Sequence, residues 1–248
     1  MAELRLSFGN AAADYERGRP GWPAEIAEVS GLPAETHVLD LGAGTGKLTQ
    51  VLARRFARVT AVEPDPSMLA QLRQVTDCYL ALEGSAEAIP LADGSVGGIF
   101  CAEAFHWFDW PVALGEIARV LEPRGALVLC FNLPDGESYI PLPDEARPIV
   151  ERYRRPGVEA GGAILQSGAW KEPFDEPGSP FEPLRRESFR HVHVQDADAV
   201  VARTLSTSIF ASLEPDERKA LGEELRAIVP AGVYETPLRA EVWWTRIR

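Results

Sequence analysis

The stretch VLDLGAGTGKLTQVLARRF, Val38 to Phe56, decides the reading of this chain: an apolar run passes Asp40, breaks into three alternating glycines, and resumes at helical spacing. The run before the glycines has the length and composition of a buried strand. After them Leu48, Val51, Leu52 and Phe56 keep the i, i+3, i+4 rhythm of a helix with one buried face. Gly42, Gly44 and Gly46 therefore form a tight turn without Cβ atoms beneath a helix N-terminus with free N–H groups, where backbone can approach a ligand closely. Several ligands compete for such a loop. A phosphate loop needs GxxxxGK[ST], and Leu48 stands where its hydroxyl residue would be. A dinucleotide loop wants GxGxxG, whereas this one is GxGxG with Lys47 following. A plain glycine-rich turn is the remaining alternative.

Outward from the loop, short β-branched runs alternate with stretches of helical period. The strand candidates are HVLDLG, RVTAVE, CYLALEG, GGIFCAEA and GALVLCFN; the helix candidates are Lys47 to Phe56, Pro66 to Val75 and Pro111 to Leu121. Pro66 and Pro111 sit in a first turn, where a helix tolerates proline. This alternation predicts an α/β fold with a doubly wound, mostly parallel sheet. After Asn132 the texture changes, because Leu133 to Arg185 holds nine of the chain's 20 prolines. Asp144 to Tyr153 is the main helical candidate there, and the segment reads as an inserted cap. Ser188 to Val194 and Pro237 to Ile247 alternate like strands, completing seven with an antiparallel edge. Ala197 to Leu213 and Asp216 to Val229 read as helices. The expected organisation is a single domain with a helical cover (1–36), a cofactor-binding core (37–132), a cap (133–186) and a C-terminal completion of the sheet (187–248).

The 248 residues are 46% hydrophobic and 25% charged, enough for an ordinary core. A formal net charge of −12 argues against nucleic acid and anionic membranes as partners. Cys78, Cys101 and Cys130 lack metal-like spacing and sit in apolar stretches, which suits a reducing compartment. No leader precedes Ser7 and no apolar run reaches the roughly 18 residues of a membrane span, so the chain reads as cytoplasmic.

The second strand ends in Glu63-Pro64-Asp65, which puts a carboxylate at the sheet's carboxyl edge about 20 residues past the loop, where it can accept both hydroxyls of a ribose. The third ends in the turn Glu83-Gly84-Ser85-Ala86-Glu87, whose backbone could face an adenine edge. Loop, acid and turn converge on one nucleoside. VLDLGAGTGKLT, AVEPDPSML, EGSAEAIPLADGSV, AFHWFD and ARVLEPRGALVL then resemble, in that order, the successive motifs of class I S-adenosylmethionine-dependent methyltransferases, nearest the small-molecule branch called type 11 or UbiE-like. The resemblance implies a Rossmann-like fold. It implies that Asp40, Gly42, Ala43, Gly44 and Gly46 cradle the methionine part of S-adenosylmethionine and that Glu63 holds its ribose. Pro64, Asp65 and Met68 would flank ribose and adenine, and Ser85, Ala86 and Glu87 would meet the adenine edge. Relatives often carry aspartate at Ser85, so Glu87 could take over one adenine contact; they commonly carry an acidic residue near Gly97-Gly98, a departure expected to have only a structural effect. The N-terminal SFGNAAADYERGRPGWP also resembles the family, as a helix closing over the cofactor with Tyr15 packed on it and Arg19 paired with its carboxylate; a surface helix covering the sheet is the alternative.

The fourth strand ends in Glu103-Ala104-Phe105-His106-Trp107, where an open parallel sheet presents residues to its ligand crevice. His106 titrates in the useful range, and with Glu103 it is a candidate catalytic residue; His106 could instead cap the strand, and Glu103 could hold the cofactor's amino group. His191 and His193 share a strand face without a third ligand nearby, so no metal is expected. The functional expectation is methyl transfer to a small-molecule acceptor by in-line displacement. A non-catalytic cofactor-binding protein is the runner-up, and a nicotinamide dehydrogenase fits the loop spacing less well.

Overall fold

The computed structural model describes residues 11–76, 80–136, 139–153 and 165–248. Cys78 and the expected start of the N-terminal helix at 7–10 lie outside them. Seven strands form one sheet: β1 (His37–Leu41), β2 (Arg58–Glu63), β3 (Leu80–Glu83), β4 (Val96–Ala102), β5 (Leu121–Pro134), β6 (Arg185–Asp196) and β7 (Val233–Arg246). Their order is β3-β2-β1-β4-β5-β7-β6. The first five pair in parallel, whereas β7 runs antiparallel between β5 and the outermost β6. The order reverses between β1 and β4, and this switch point opens the crevice in which such sheets bind ligands.

The parallel strands are apolar on both faces because both are covered. Leu39, Leu41, Ile99, Leu127 and Leu129 meet Leu114 and Ile117 of one helix, α4 (Trp110–Val120). Val38, Phe100, Val128 and Cys130 meet Leu48 and Leu52 of α2 (Lys47–Arg55) on the opposite face. Trp243 packs into the first cluster and Trp244 against the second, as period-2 alternation requires. Gly97 and Gly98 have a packing role: a Cβ on them would stand 2.6 Å from Thr36 and 2.5 Å from Leu32 respectively.

Residues of the expected cap pack in two places. Trp170, Phe174 and Phe181 enter the core beside Phe105 and Phe131. Helix α5 (Ala146–Tyr153) joins α6 (Ala197–Leu205) and α7 (Pro215–Ile228) in a separate apolar cluster. The helix expected over Ala197 to Leu213 breaks at Ser206-Thr207. The Ser206 and Thr207 hydroxyls donate to the carbonyls of Arg203 and Thr204 at 2.9 Å each, competing with the helical ladder.

The N-terminal helix α1 (Ala12–Gly18) docks on α6. Gly18 permits this approach, since a Cβ there would stand 2.1 Å from the backbone nitrogen of Arg203. Gly18→Ala is therefore expected to lift α1 from α6 and to cost roughly 1–3 kcal/mol, the usual penalty for overpacking. Urea unfolding checks this, and an unchanged midpoint would refute the close approach.

Candidate active site

The glycine loop takes the conformation its sequence demands. Gly42, Gly44 and Gly46 have φ of +72°, +57° and +92°, the left-handed region that glycine enters without a Cβ penalty. Gly42 is also pressed against the end of β4, where its Cβ would lie 2.7 Å from the Cβ of Ala104. Glu63 locks the loop from the next strand: Gly44 N donates to Oε2 at 2.8 Å and Asp65 N to Oε1 at 3.0 Å. Burial raises the Glu63 carboxyl to about 7 against the pull of these two donors. Asp40, beneath the loop, is likewise raised by burial to about 7. Its Oδ2 accepts from Thr49 Oγ1 at 2.6 Å, while Oδ1 has no partner among the described residues.

Asp65 is spent on structure. It caps α3 (Pro66–Val75), accepting from Ser67 N at 2.8 Å and Met68 N at 3.1 Å. That cap brings Met68 to the wall of a cavity of about 440 Å³. Gly42, Gly44, Glu63, Pro64, Ser85, Ala86 and Glu87 line the same cavity. Glu87 Oε1 accepts from Asp109 N at 3.1 Å, joining the third-strand turn to the start of α4. Asp40 and Ala43 line a smaller adjoining space of about 40 Å³. Gly46 lines neither and serves as the N-cap of α2.

Tyr15 and Arg19 border both spaces. The Arg19 guanidinium lies 5.0 Å from the Tyr15 ring centroid. Its Nε and Nη2 donate to Ser206 Oγ at 3.0 Å and Ser206 O at 2.8 Å, so one edge of the fork ties the cover to the break after α6. Lys47 secures the other side through its 3.0 Å ion pair with Glu16. Burial raises the Tyr15 hydroxyl to about 12, so it is a neutral donor near pH 7.

Beyond β4 the chain turns through Glu103 at φ +51°, a conformation uncommon outside glycine. This aims Glu103 Oε1 at Asn132 N, 2.6 Å away, and burial raises the carboxyl above its ordinary range. His106 faces the cavity with only 5% of its surface exposed, its ring 5.0 Å from that of Trp107. Its expected titration near neutrality is corrected by this burial, which pulls the imidazole down to about 4, with Arg19 adding to the effect. Nδ1 has no hydrogen-bond partner among the described residues. His106 is therefore a neutral group aimed at the ligand space.

The far wall comes from parts of the chain that carry no recognisable motif: Asn132, Tyr139, Leu165, Gln166, Thr207 and Ser208. The hydroxyl run Ser206-Thr207-Ser208 was the available signal, since it both breaks α6 and turns polar groups inward. His191 and His193 serve structure, donating from Nε2 to Asn132 Oδ1 at 2.8 Å and to Gly18 O at 3.1 Å. Among the described residues no three His, Cys, Asp or Glu side chains are grouped to hold a metal, and no helix is long and apolar enough to cross a membrane.

Comparison with known proteins points to one family. The family profile described as a methyltransferase domain matches residues 39–129. A protein of Mycobacterium tuberculosis, described as an uncharacterized methyltransferase, is 49% identical over 133 residues, 54% of this chain and 55% of its own length. The chain thus matches about half the length of that relative. A methyltransferase-like protein of Schizosaccharomyces pombe is 35% identical over 227 residues, covering 90% of this chain and 85% of its own. A solved structure assigned to the type II methyltransferases of Anaeromyxobacter dehalogenans shares the fold, with a TM-score of 0.57 at 22% identity over 93% of this chain and 97% of that one. With the yeast likeness running through nine-tenths of its residues, the chain belongs to the class I S-adenosylmethionine-dependent methyltransferases.

Proposed function

We propose that the cavity holds S-adenosylmethionine along the Gly42 to Gly46 loop, Glu63 and the Ser85 turn, and that its methyl group passes to a small-molecule acceptor by in-line displacement. The observation that carries this is the single space of about 440 Å³ joining Glu63 and the Ser85 turn at one end to His106, Thr207 and Ser208 at the other. Its size lies within the roughly 300–1,000 Å³ typical of small-ligand pockets. The cradle fits the cofactor: each Glu63 oxygen accepts one backbone N–H and keeps a lone pair for a ribose hydroxyl. Pro64 and Met68 offer an apolar wall to ribose and adenine, and Ser85, Ala86 and Glu87 border the adenine edge. Asp65 contributes through the α3 cap, and Gly46 through the α2 cap.

When bound, the cofactor supplies a methyl group on a positively charged sulfur. Glu103 and the unpartnered Asp40 oxygen offer acceptors to an ammonium group, and Tyr15 with Arg19 closes the cover over the amino-acid end. Leu133, Pro134, Tyr139, Leu165 and Gln166, with Thr207 and Ser208 of the turn after α6, form the acceptor side. Aligning acceptor and methyl while excluding water accounts for the catalysis, and the buried aromatic wall serves both. His106, neutral at physiological pH, positions the acceptor by hydrogen bonding or takes its proton as the methyl bond forms.

Calorimetry with S-adenosylmethionine and S-adenosylhomocysteine tests the donor site, and binding of neither would overturn it. Product release with an acceptor panel separates an enzyme from a binding protein. His106→Ala is expected to lower kcat/KM about 100-fold, and the wild-type kcat, measured at saturating S-adenosylmethionine, should show no step from an imidazole titrating near 6.5. Full turnover in the variant would remove His106 from the chemistry.

A further inference from the structure

One buried charge has no use in the site described so far. Arg203, on α6, has no solvent exposure, and among the described residues it forms no ion pair; the neutral Tyr139 side chain is the group that supports its charge. A buried guanidinium without a carboxylate partner is costly, because neither water nor an opposite charge replaces the hydration it has lost. Its close neighbour is Tyr139, whose ring centroid lies 4.3 Å from the guanidinium carbon. The Tyr139 ring and hydroxyl favour the charge, but burial outweighs them and pulls Arg203 down from its ordinary range. Tyr139 borders both ligand spaces, so this side chain stands between Arg203 and the cavity.

Arg19, Asp40 and Glu103 border the adjoining space, and Lys47 there is paired with Glu16. Arg19 and Glu103 act on Arg203 electrostatically, but among the described residues no carboxylate forms an ion pair with it. His191 and His193 nearby are held below their ordinary range, mainly by burial with Arg203 second, and add no compensating charge. The bound cofactor would not supply that partner: its carboxylate would meet Arg19, its ammonium Glu103 and Asp40, and its sulfonium would add a positive charge. Arg203 would still be without an ion pair.

We propose that Arg203 is the anchor for a carboxylate on the methyl acceptor, which makes the substrate class a small organic acid. The reading rests on the small-molecule acceptor proposed above. A guanidinium presents parallel N–H donors matched to the two oxygens of one carboxylate. Thr207 and Ser208, four and five residues after Arg203, bring hydroxyls to the same side of the cavity. Tyr139 turns aside to admit the anion, exchanging its stacking contact for a charge-assisted one.

The test uses the full chain, Arg203→Met and Arg203→Lys, each loaded with S-adenosylhomocysteine. Calorimetry then measures binding of succinate, glutarate and benzoate, each beside its uncharged amide counterpart. At least one acid should bind the wild type better than its amide, Arg203→Met should lose this preference at least about tenfold, and Arg203→Lys should recover part of it. The apo thermal midpoint of Arg203→Met should stay level or rise, since the variant removes an uncompensated buried charge. No acid binding, or an undiminished preference in Arg203→Met, would overturn the assignment. So would weaker binding of S-adenosylhomocysteine to Arg203→Met with unchanged binding of methylthioadenosine, which lacks the amino-acid end: Arg203 would then serve the cofactor carboxylate. A fallen midpoint with acid binding intact would show a structural arginine. If the wild type does not bind S-adenosylhomocysteine at all, the donor-site reading itself fails, a result distinct from each of these.

Discussion

Glu63→Ala is expected to weaken S-adenosylmethionine binding by about 1,000-fold, because hydrogen bonds to a charged acceptor contribute roughly 1.5–3 kcal/mol each and two ribose hydroxyls lose theirs. The same substitution leaves Gly44 N and Asp65 N without their acceptor, so the loop loses its lock as the ligand loses its contact. Glu63→Gln separates the two effects, since one amide oxygen can keep one of these bonds. Protonation supplies a second signature. With its carboxyl at about 7 in the ligand-free site, Glu63 is largely protonated at pH 6, and ribose hydroxyls donate to the ionised form. Wild-type affinity should therefore rise as pH increases from 6 to 8 and level off above. Glu63→Gln should lose the Glu63 share of that rise and keep the share of Asp40, whose carboxyl also lies at about 7. Calorimetry at three pH values reads both, and a wild type without pH dependence, or an alanine variant with intact affinity, would remove Glu63 from ribose binding.

The parts of this site legible in the sequence were those made by short-range geometry. Three glycines at alternating positions need left-handed φ, and the structure has all three there. A proline after Asp65 marks a helix start, and α3 begins at Pro66 with Asp65 as its cap. The end of β2 puts Glu63 beside the loop because parallel register puts Leu41 opposite Val62. Side-chain allegiance was less legible. Asp65 stands in the motif that implied cofactor contact, yet its carboxylate is taken by two helix N–H groups. Arg19 reaches Ser206 across 187 residues of chain, and no local pattern announces that bond. His106 looked like a titrating base until Phe131, Trp107 and the cover removed its water. Arg203 lies inside the helical run Ala197 to Leu213, and nothing in its spacing marks it as buried. Only the docking of α1 through Gly18 reveals that the wall around it is closed.

Asp40 gives the largest expected change in stability, and its sign follows from where the proton sits. Its folded carboxyl is raised to about 7, chiefly by burial, while the unfolded chain has an ordinary aspartate near 3.9. Between those values the folded state binds more protons than the unfolded one, so raising the pH destabilises the fold. Below about pH 4 the charge costs nothing, and above about pH 7 the full penalty applies, on the order of 4 kcal/mol at 1.36 kcal/mol per pH unit. The lowered histidines act in the opposite sense between about pH 4 and 6.5, which masks the effect in the wild-type curve alone. The readable quantity is the difference between Asp40→Asn and wild type. The variant should match the wild type at pH 4 and exceed it progressively to pH 8, with Thr49 able to keep a hydrogen bond to the amide oxygen. Parallel urea-unfolding stabilities across that range would show that Asp40 does not carry the strain. A more stable Asp40→Asn that binds S-adenosylmethionine more weakly would identify the reason for keeping a buried carboxylate with one oxygen unmatched: it holds negative charge ready for a ligand that brings the positive charge with it.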